Sequence, residues 1–517
     1  MSTGPTHAGA AERLPDGART GTRATIETPA QAERGAALGA FLADCRAALG
    51  DTHVLTAASA QAPFLTDWRK RYTGRACAVL RPASTAEVAA VVAAANKHDI
   101  ALVTQGGNTG HAGGATPDAS GAQAVLSTNR LRRIRALDAA NDTITVEAGC
   151  ALADVQAAAR AAGRLFPLSL ASEGSCTIGG NLATNAGGTA VLRHGNARAL
   201  CLGLEVVTAD AQVWDGLRAL RKDNTGYDLR DLFIGAEGTL GVITAAVLKL
   251  QPMPAASVTA VATVDTCDDA LRLLALARAR ADALLTGFEL MSWYCVELID
   301  SHFPTLRMPL ARPGGATANG FAVLLELSDH ESEAHGRALL ERLLADASNE
   351  GVVRDAVVAQ SLAQSQTFWA MREHIPLAQA RDGLNVKHDI ALPISAIGEF
   401  ISSTDRAIAA RWPGARMVTF GHLGDGNLHY NVQAPVGQDP ADFLRAAQAP
   451  MNRLVYDQVH ARGGSISAEH GIGQLKVDDL ARYKSPVELA LMTAVKRALD
   501  PHNRFNPGKV IAAPPVP

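Results

Sequence analysis

"CAVLRPASTAEVAAVVAAANKHDIALVTQGG", residues 77–107, is the stretch from which the fold can be read. A short apolar run at 78–80 is followed by Ser84 and, three residues on, Glu87, the spacing of a helix capping box. Val88, Val91, Val92 and Ala95 then recur on one helical face. Ile100 to Thr104 is a short apolar run with strand character, and paired glycines end it. A strand, a helix and a second strand that feed a glycine turn predict an α/β nucleotide-binding region.

The turn continues as "QGGNTGHAGG", residues 105–114. Without a Cβ, glycines let backbone N–H groups crowd around an anion. No G-x-G-x-x-G opens a helix here and no G-K-[ST] follows, so neither the dinucleotide fingerprint nor a Walker loop is present. Two more runs of the same character follow: "PLSLASEGSCTIGGNLATNAGG", residues 167–188, and "DNTGYDLRDLFIGAEGTLGVITAAVLKL", residues 223–250, the latter ending as a strand from Gly241. Any one of them reads first as a tight turn. Three together suit one large ligand with many phosphate, ribose and ring acceptors.

The bulk numbers limit the alternatives. A chain of 517 residues with 47% hydrophobic composition exceeds what one core sustains, so two or three domains are expected. A net charge of -3 with 19% charged residues carries no nucleic-acid or membrane-surface footprint. Seven cysteines without a C-x-x-C spacing argue against a disulfide framework, an iron–sulfur cluster or a zinc finger. A reduced, cytoplasmic setting is the expectation. No segment is apolar enough to span a bilayer, and residues 1–30 have the composition of a disordered tail.

"FGHLGDGNLHYNV", residues 420–432, predicts a hairpin. With Asp425 and Gly426 as a two-residue type I′ turn, Gly424 pairs with Asn427, Leu423 with Leu428 and His422 with His429. Directly opposed imidazoles on one face have Cβ atoms about 4.5–5.5 Å apart, and Asn431 shares that face. A hydrogen-bonded histidine pair is the plain alternative. "SISAEHGIG", residues 465–473, adds Glu469 and His470, which reach one site only if the backbone beside Gly471 and Gly473 is irregular. Two histidines and a carboxylate leave an open coordination position, as in catalytic zinc sites; manganese, cobalt or iron accept the same ligands. "WAMREHIPLAQARDGLNVKHDIALP", residues 369–393, offers Arg372 and Lys387 to a substrate carboxylate, although either alone reads as a surface cation.

The three glycine-rich loops, in this order, resemble the FAD-binding domain of vanillyl-alcohol-oxidase-type flavoproteins. With "WAMREHIP", "GHLGDGNLHYN", "SAEHGIG" and "NRFNPGK", the chain resembles the D-2-hydroxyacid dehydrogenase branch from about Ala78 to Val510. The resemblance implies an α+β fold: a tail over 1–30, an FAD-binding domain over 31–250, a mixed substrate domain over 251–445, and a mainly helical C-terminal segment over 446–517 that completes the site. It implies FAD contacts at Gly106, Gly107, Asn108, Thr109 and Gly110, then at Pro167, Gly174, Ser175, Thr177, Gly180, Asn181 and Thr184. Glu237, Gly238, Gly241, Ile243 and Asn506 complete that set. Some relatives attach FAD through a histidine after the paired glycines; Asn108 stands there, so dissociable FAD is expected.

The resemblance further implies a divalent metal, zinc first, on His422, His429 and Glu469. His470 is then the general base and a substrate contact, with Arg372, Lys387 and Asn431 also on the substrate. The reaction implied is oxidation of a D-2-hydroxy acid to the 2-oxo acid, with hydride to flavin N5 and the proton to His470. D-2-Hydroxyglutarate ranks ahead of D-lactate and D-malate, although Pro376 stands where the diacid enzymes carry a hydroxyl residue. It is expected one turn beyond Arg372 on the same face. The alternatives are a non-redox flavin-dependent transferase and a non-catalytic flavin protein. No second redox centre is visible, so a separate electron acceptor is expected, an electron-transfer flavoprotein or a quinone. A homodimer is also compatible with the family.

Overall fold

The computed structural model describes residues 29–313 and 320–512. The tail expected over 1–30 lies outside the described residues, except that Pro29 and Ala30 open the first helix, Pro29–Leu49.

The opening stretch folds as a parallel unit. Ala78–Leu80, Ala124–Ser127 and Leu102–Gln105 run parallel in a four-stranded sheet, with Val54–Leu55 antiparallel at its edge. The helix Thr85–His98 buries Val88, Val91, Val92, Ala94 and Ala95 against Leu80, Leu102 and Leu126. Its cap closes one residue early. The Ser84 hydroxyl accepts from Glu87 N at 3.2 Å, but the Glu87 carboxylate accepts from Ala83 N at 2.8 Å. A second, five-stranded antiparallel sheet follows, ordered Ile134–Asp138, Thr143–Glu147, Val242–Lys249, Cys201–Val207, Val213–Gly216.

From Ala256 the chain builds an eight-stranded antiparallel sheet whose two faces are sorted by the period-two alternation of its strands. Ala260, Ala262 and Val264 join one core under the helices Cys267–Ala281, Glu333–Asn349 and Ile397–Arg411. Val261, Met291, Val418 and Phe420 face the opposite core, with Phe368 and Met371 of the helix Leu362–Glu373. That second face carries the polar cluster described below, because His422 and Glu289 lie two residues along from Phe420 and Met291.

The boundary expected at 445/446 falls inside a continuous helix, Pro440–Ala461, started by Asp439, whose carboxylate accepts from Ala441 N and Asp442 N. After Val477–Tyr483 and Pro486–Leu499 the chain returns to the first sheet. Leu102 N donates to Arg504 O and Asn506 N to Leu102 O, both at 2.8 Å. All seven cysteines are free. Among the described residues no helix is long and apolar enough to cross a membrane.

Candidate active site

The glycine-rich loops enclose a cavity lined by Gly106, Gly107, Asn108, Thr109, Gly110, Thr177, Gly180, Asn181, Thr184, Glu237, Gly238, Gly241, Ile243, His470 and Asn506. Loops one and two interlock at backbone distance. A Cβ on Gly106 would lie 2.4 Å from Thr177 Oγ1, and one on Gly107 would lie 2.0 Å from the Ser175 carbonyl oxygen. Thr177 Oγ1 and Thr104 Oγ1 are buried without hydrogen-bond partners, and both residues line the cavity. Orphaned hydroxyls call for a ligand acceptor or donor, which fits a polyoxygenated cofactor.

Three of the expected contacts lie elsewhere. Pro167 is buried away from the cavity lining, and Gly174 and Ser175 are exposed, Ser175 serving as the wall behind Gly107. Three others have their side chains engaged by protein. Asn506 accepts from Thr104 N at 2.8 Å and donates to Glu237 O at 2.9 Å. The Glu237 carboxylate accepts from Ile472 N at 2.7 Å and Gly473 N at 2.8 Å; burial pushes its carboxyl up against the pull of those donors. Asn108 donates to Thr66 O at 2.9 Å. These side chains clamp the loops and the C-terminal segment around the cavity.

The hairpin differs from expectation in register. His422 pairs with Asn427, Gly421 with Leu428 and Phe420 with His429, so the turn holds four residues, 423–426. Leu423 is fully buried in the helix-covered core, Asp425 accepts from Asn427 N at 3.0 Å, and Arg278 holds Gly424 O at 2.8 Å. Anchoring Leu423 inward takes it out of the ladder. His422 and His429 are therefore diagonal neighbours rather than opposed, still on one face, with ring centroids 5.7 Å apart.

Around them converge residues far apart in the chain. Possible ligand atoms of His422, His429 and Glu469 all lie within 4.8 Å of one another. His422 Nε2 is 3.6 Å from Glu469 Oε1, while its Nδ1 is 2.6 Å from Glu289 Oε1. A carboxylate behind a histidine is the arrangement that fixes ring orientation at metal sites, so the donor set fits a divalent cation. Gly188 N donates to Glu469 Oε1 at 2.8 Å, steadying it from the cofactor side. Glu289 also accepts from Arg372 Nε at 2.7 Å. Burial alone would raise its pKa, but His422 and Arg372 bring it down to about 2.

Asp389, Glu469 and His470 form a second ligand-sized group. Asp389 is largely committed, accepting from Asn427 Nδ2, Glu469 N and His470 N at 2.9–3.0 Å. Its carboxyl stays well below the usual range because the His470 and His429 imidazoles, Lys476 and backbone donors outweigh burial. Asp389 Oδ2 lies 3.3 Å from His470 Nδ1, and His470 stacks on His111 with centroids 4.6 Å apart.

Residues 76–216 match the FAD binding domain family, and residues 253–510 match the C-terminal domain of FAD linked oxidases. The chain is 38% identical over 453 residues to a D-2-hydroxyglutarate dehydrogenase of Xanthomonas citri pv. viticola, covering 87% of this chain and 92% of that one. It is 36% identical over 467 residues to a probable mitochondrial D-2-hydroxyglutarate dehydrogenase of Oryza sativa subsp. indica, covering 90% and 80%. The chain belongs to the D-2-hydroxyglutarate dehydrogenase family of FAD-linked oxidases. Solved structures share its fold: p-cresol methylhydroxylase at TM-score 0.71 and 17% identity over 93% of this chain and 98% of that one, and alkyldihydroxyacetonephosphate synthase at 0.69 and 16% over 90% and 85%. The chain is thus an FAD-linked oxidoreductase of the vanillyl-alcohol-oxidase fold.

In this family member the expected substrate residues divide. Lys387 lies between Asn385–Val386 and Asp389–Ala391, which pair with the strand Asn427–Gln433 in one continuous register, level with Asn431. It is exposed at the surface, and desolvation by the surrounding protein, with the charges of Arg69 and Arg71, pushes its ammonium down to about 8. Asn431 is spent inside the protein, accepting from His388 N at 3.1 Å and donating to Gln379 Oε1 at 3.0 Å, so it positions its neighbours. Arg372 is buried; its Nε serves Glu289 and its Nη2 is a buried donor without a partner. Pro376 does not extend the Arg372 helix. That helix ends at Glu373, and Pro376 sits in the first turn of the next, Ile375–Asp382.

Sequence reasoning overlooked Glu289 and gave Asp389 no role. Each is the one charged residue of its strand, "LTGFELMS" and "DIA", and that isolation is the signal.

Proposed function

We propose that the chain oxidises a D-2-hydroxy acid to its 2-oxo acid, D-2-hydroxyglutarate ahead of D-lactate and D-malate, using dissociable FAD and a divalent cation, zinc first. The observation that carries this reading is His470, which opens onto the glycine-lined cavity, is backed by Asp389 at 3.3 Å, and adjoins the His422, His429 and Glu469 cluster. FAD, when bound, supplies a hydride acceptor. A cation on His422, His429 and Glu469 would supply Lewis acidity toward the substrate hydroxyl.

The chain's own residues perform the remaining tasks. Asp389 Oδ2 lies 3.3 Å from Nδ1 of His470 and fixes the loop through its backbone N–H groups, which leaves Nε2 to take the hydroxyl proton as a general base. Glu289 keeps Nδ1 of His422 occupied, so that Nε2 faces Glu469. The unpartnered Nη2 of Arg372 and the ammonium of Lys387 are the donors for substrate carboxylates. Electrons then leave to a separate acceptor, an electron-transfer flavoprotein or a quinone.

Anaerobic mixing of the yellow protein with each D-2-hydroxy acid tests the reading. The flavin band should bleach with D-2-hydroxyglutarate, stay oxidised after chelation and bleach again on adding zinc. His470→Ala should slow the bleaching by about 10²–10⁴-fold with flavin retained. Full-rate bleaching in that variant would remove the assigned base.

A further inference from the structure

A second cleft lies on the seam between the cofactor and substrate halves and encloses about 470 Å³, within the range of small-molecule sites. Basic groups reach it from three elements. Arg193 and His194 come from the short helix Val191–His194, Lys249 from the end of the strand Val242–Lys249, and His330 from just beyond the strand Phe321–Asp329. No acidic side chain lines it among the described residues. Asp329, beside His330, is turned to His335 Nδ1 at 2.6 Å.

Three of the four basic side chains are uncommitted. Lys249 spends one donor on Ala199 O at 2.6 Å. Among the described residues the side chains of Arg193, His194 and His330 have no hydrogen-bond or ion-pair partner. Burial foremost, then the charges of Arg193 and His330, pushes the His194 imidazole down to about 4, so it meets a ligand as a neutral hydrogen-bonding group. Leu165, Pro252 and Pro254 provide an apolar wall.

We propose that this seam binds a small oxyanion-bearing molecule, a phosphate ester or a dicarboxylate, its charged group received by Arg193, His194, Lys249 and His330 and its carbon body lying on Leu165, Pro252 and Pro254. An occupant bridges the two halves through the same short segment that holds the active-site cluster. Gly188 N bonds Glu469, and Leu192 lies against Gly424, where a Cβ would meet its Cδ2 at 2.7 Å.

Calorimetric titration of the flavin-loaded protein at fixed ionic strength tests this independently of turnover, with inorganic phosphate, phenyl phosphate and glutarate as probes. Arg193 and His330 are exposed, so an Arg193→Gln/His330→Gln double variant leaves the core intact, and its flavin absorbance checks the fold. Saturable binding that weakens by about tenfold or more in the double variant is expected. Phenyl phosphate ahead of inorganic phosphate identifies a phosphate ester, and glutarate ahead of both a dicarboxylate. Binding of equal strength in both proteins would mean occupation of the active site or an adventitious ion only, and overturns the proposal. So does the absence of saturable binding by any probe.

Discussion

The glycine-lined cavity and the histidine-bearing sheet face meet at His470, yet they are built from different materials. The cavity is walled by backbone. Its loops touch where a Cβ cannot fit, as at Gly107, and side chains such as Asn506 and Glu237 serve as clamps. The sheet face is walled by charge. Glu289, Arg372, Asp389, His422 and Glu469 come from separate segments and are buried or half-buried, each depending on the next for compensation. A backbone-built site resists changes of charge and fails on added volume. A charge-built site does the reverse, because an uncompensated buried ion is costly.

The contrast breaks first at Glu289. Glu289→Gln keeps the shape but strands Arg372 and weakens the hold on His422. A loss of about 3–5 kcal/mol is expected, read as a lower Tm and, after loading with zinc, a lower metal content in elemental analysis, with the flavin band still present. If metal content stays whole, Glu289 is not the support of His422. Next comes Gly107→Ala, whose Cβ would collide with the Ser175 carbonyl. It should cost about 1–3 kcal/mol and release flavin on gel filtration, with metal retained.

Lys387 sharpens the charge side. With its ammonium held down at about 8, the protonated fraction falls as pH rises from 7 to 9.5, so KM for a dicarboxylate should climb a few-fold while Lys387→Arg stays flat. A wild-type KM that ignores pH would remove Lys387 from the substrate. The smallest effect is assigned to Gly110→Ala, where nothing lies within 4 Å of the added carbon. Stability of the protein fold should hold within about 0.5 kcal/mol, and a large drop in Tm would show that the loop is packed more tightly than its backbone suggests.

Much of the cavity side was legible from residue order alone. The capped helix, its apolar stripe and the three glycine-rich loops are local patterns, and local patterns dictate backbone conformation. The near-miss at Ser84 and Glu87 shows the resolution of such reading: the elements were right and the cap bond shifted by one residue. The hairpin exposes its limit. Asp425-Gly426 carries the signature of a two-residue turn, but burying Leu423 overrode it and moved the pairing of both strands.

By itself, the sequence determined that this chain has glycine-rich loops of cofactor-binding character, a hairpin with paired histidines and a carboxylate–histidine loop, since each of these is encoded in one continuous stretch. Tertiary structure alone decided which groups hold one another. Arg372 meets Glu289 across 83 positions, His422 meets Glu289 across 133, and Glu469 meets Gly188 across 281. Hydrogen bonds and Coulomb forces between side chains act over a few ångströms of space, and no periodicity in a linear chain records which distant residues will be brought that close.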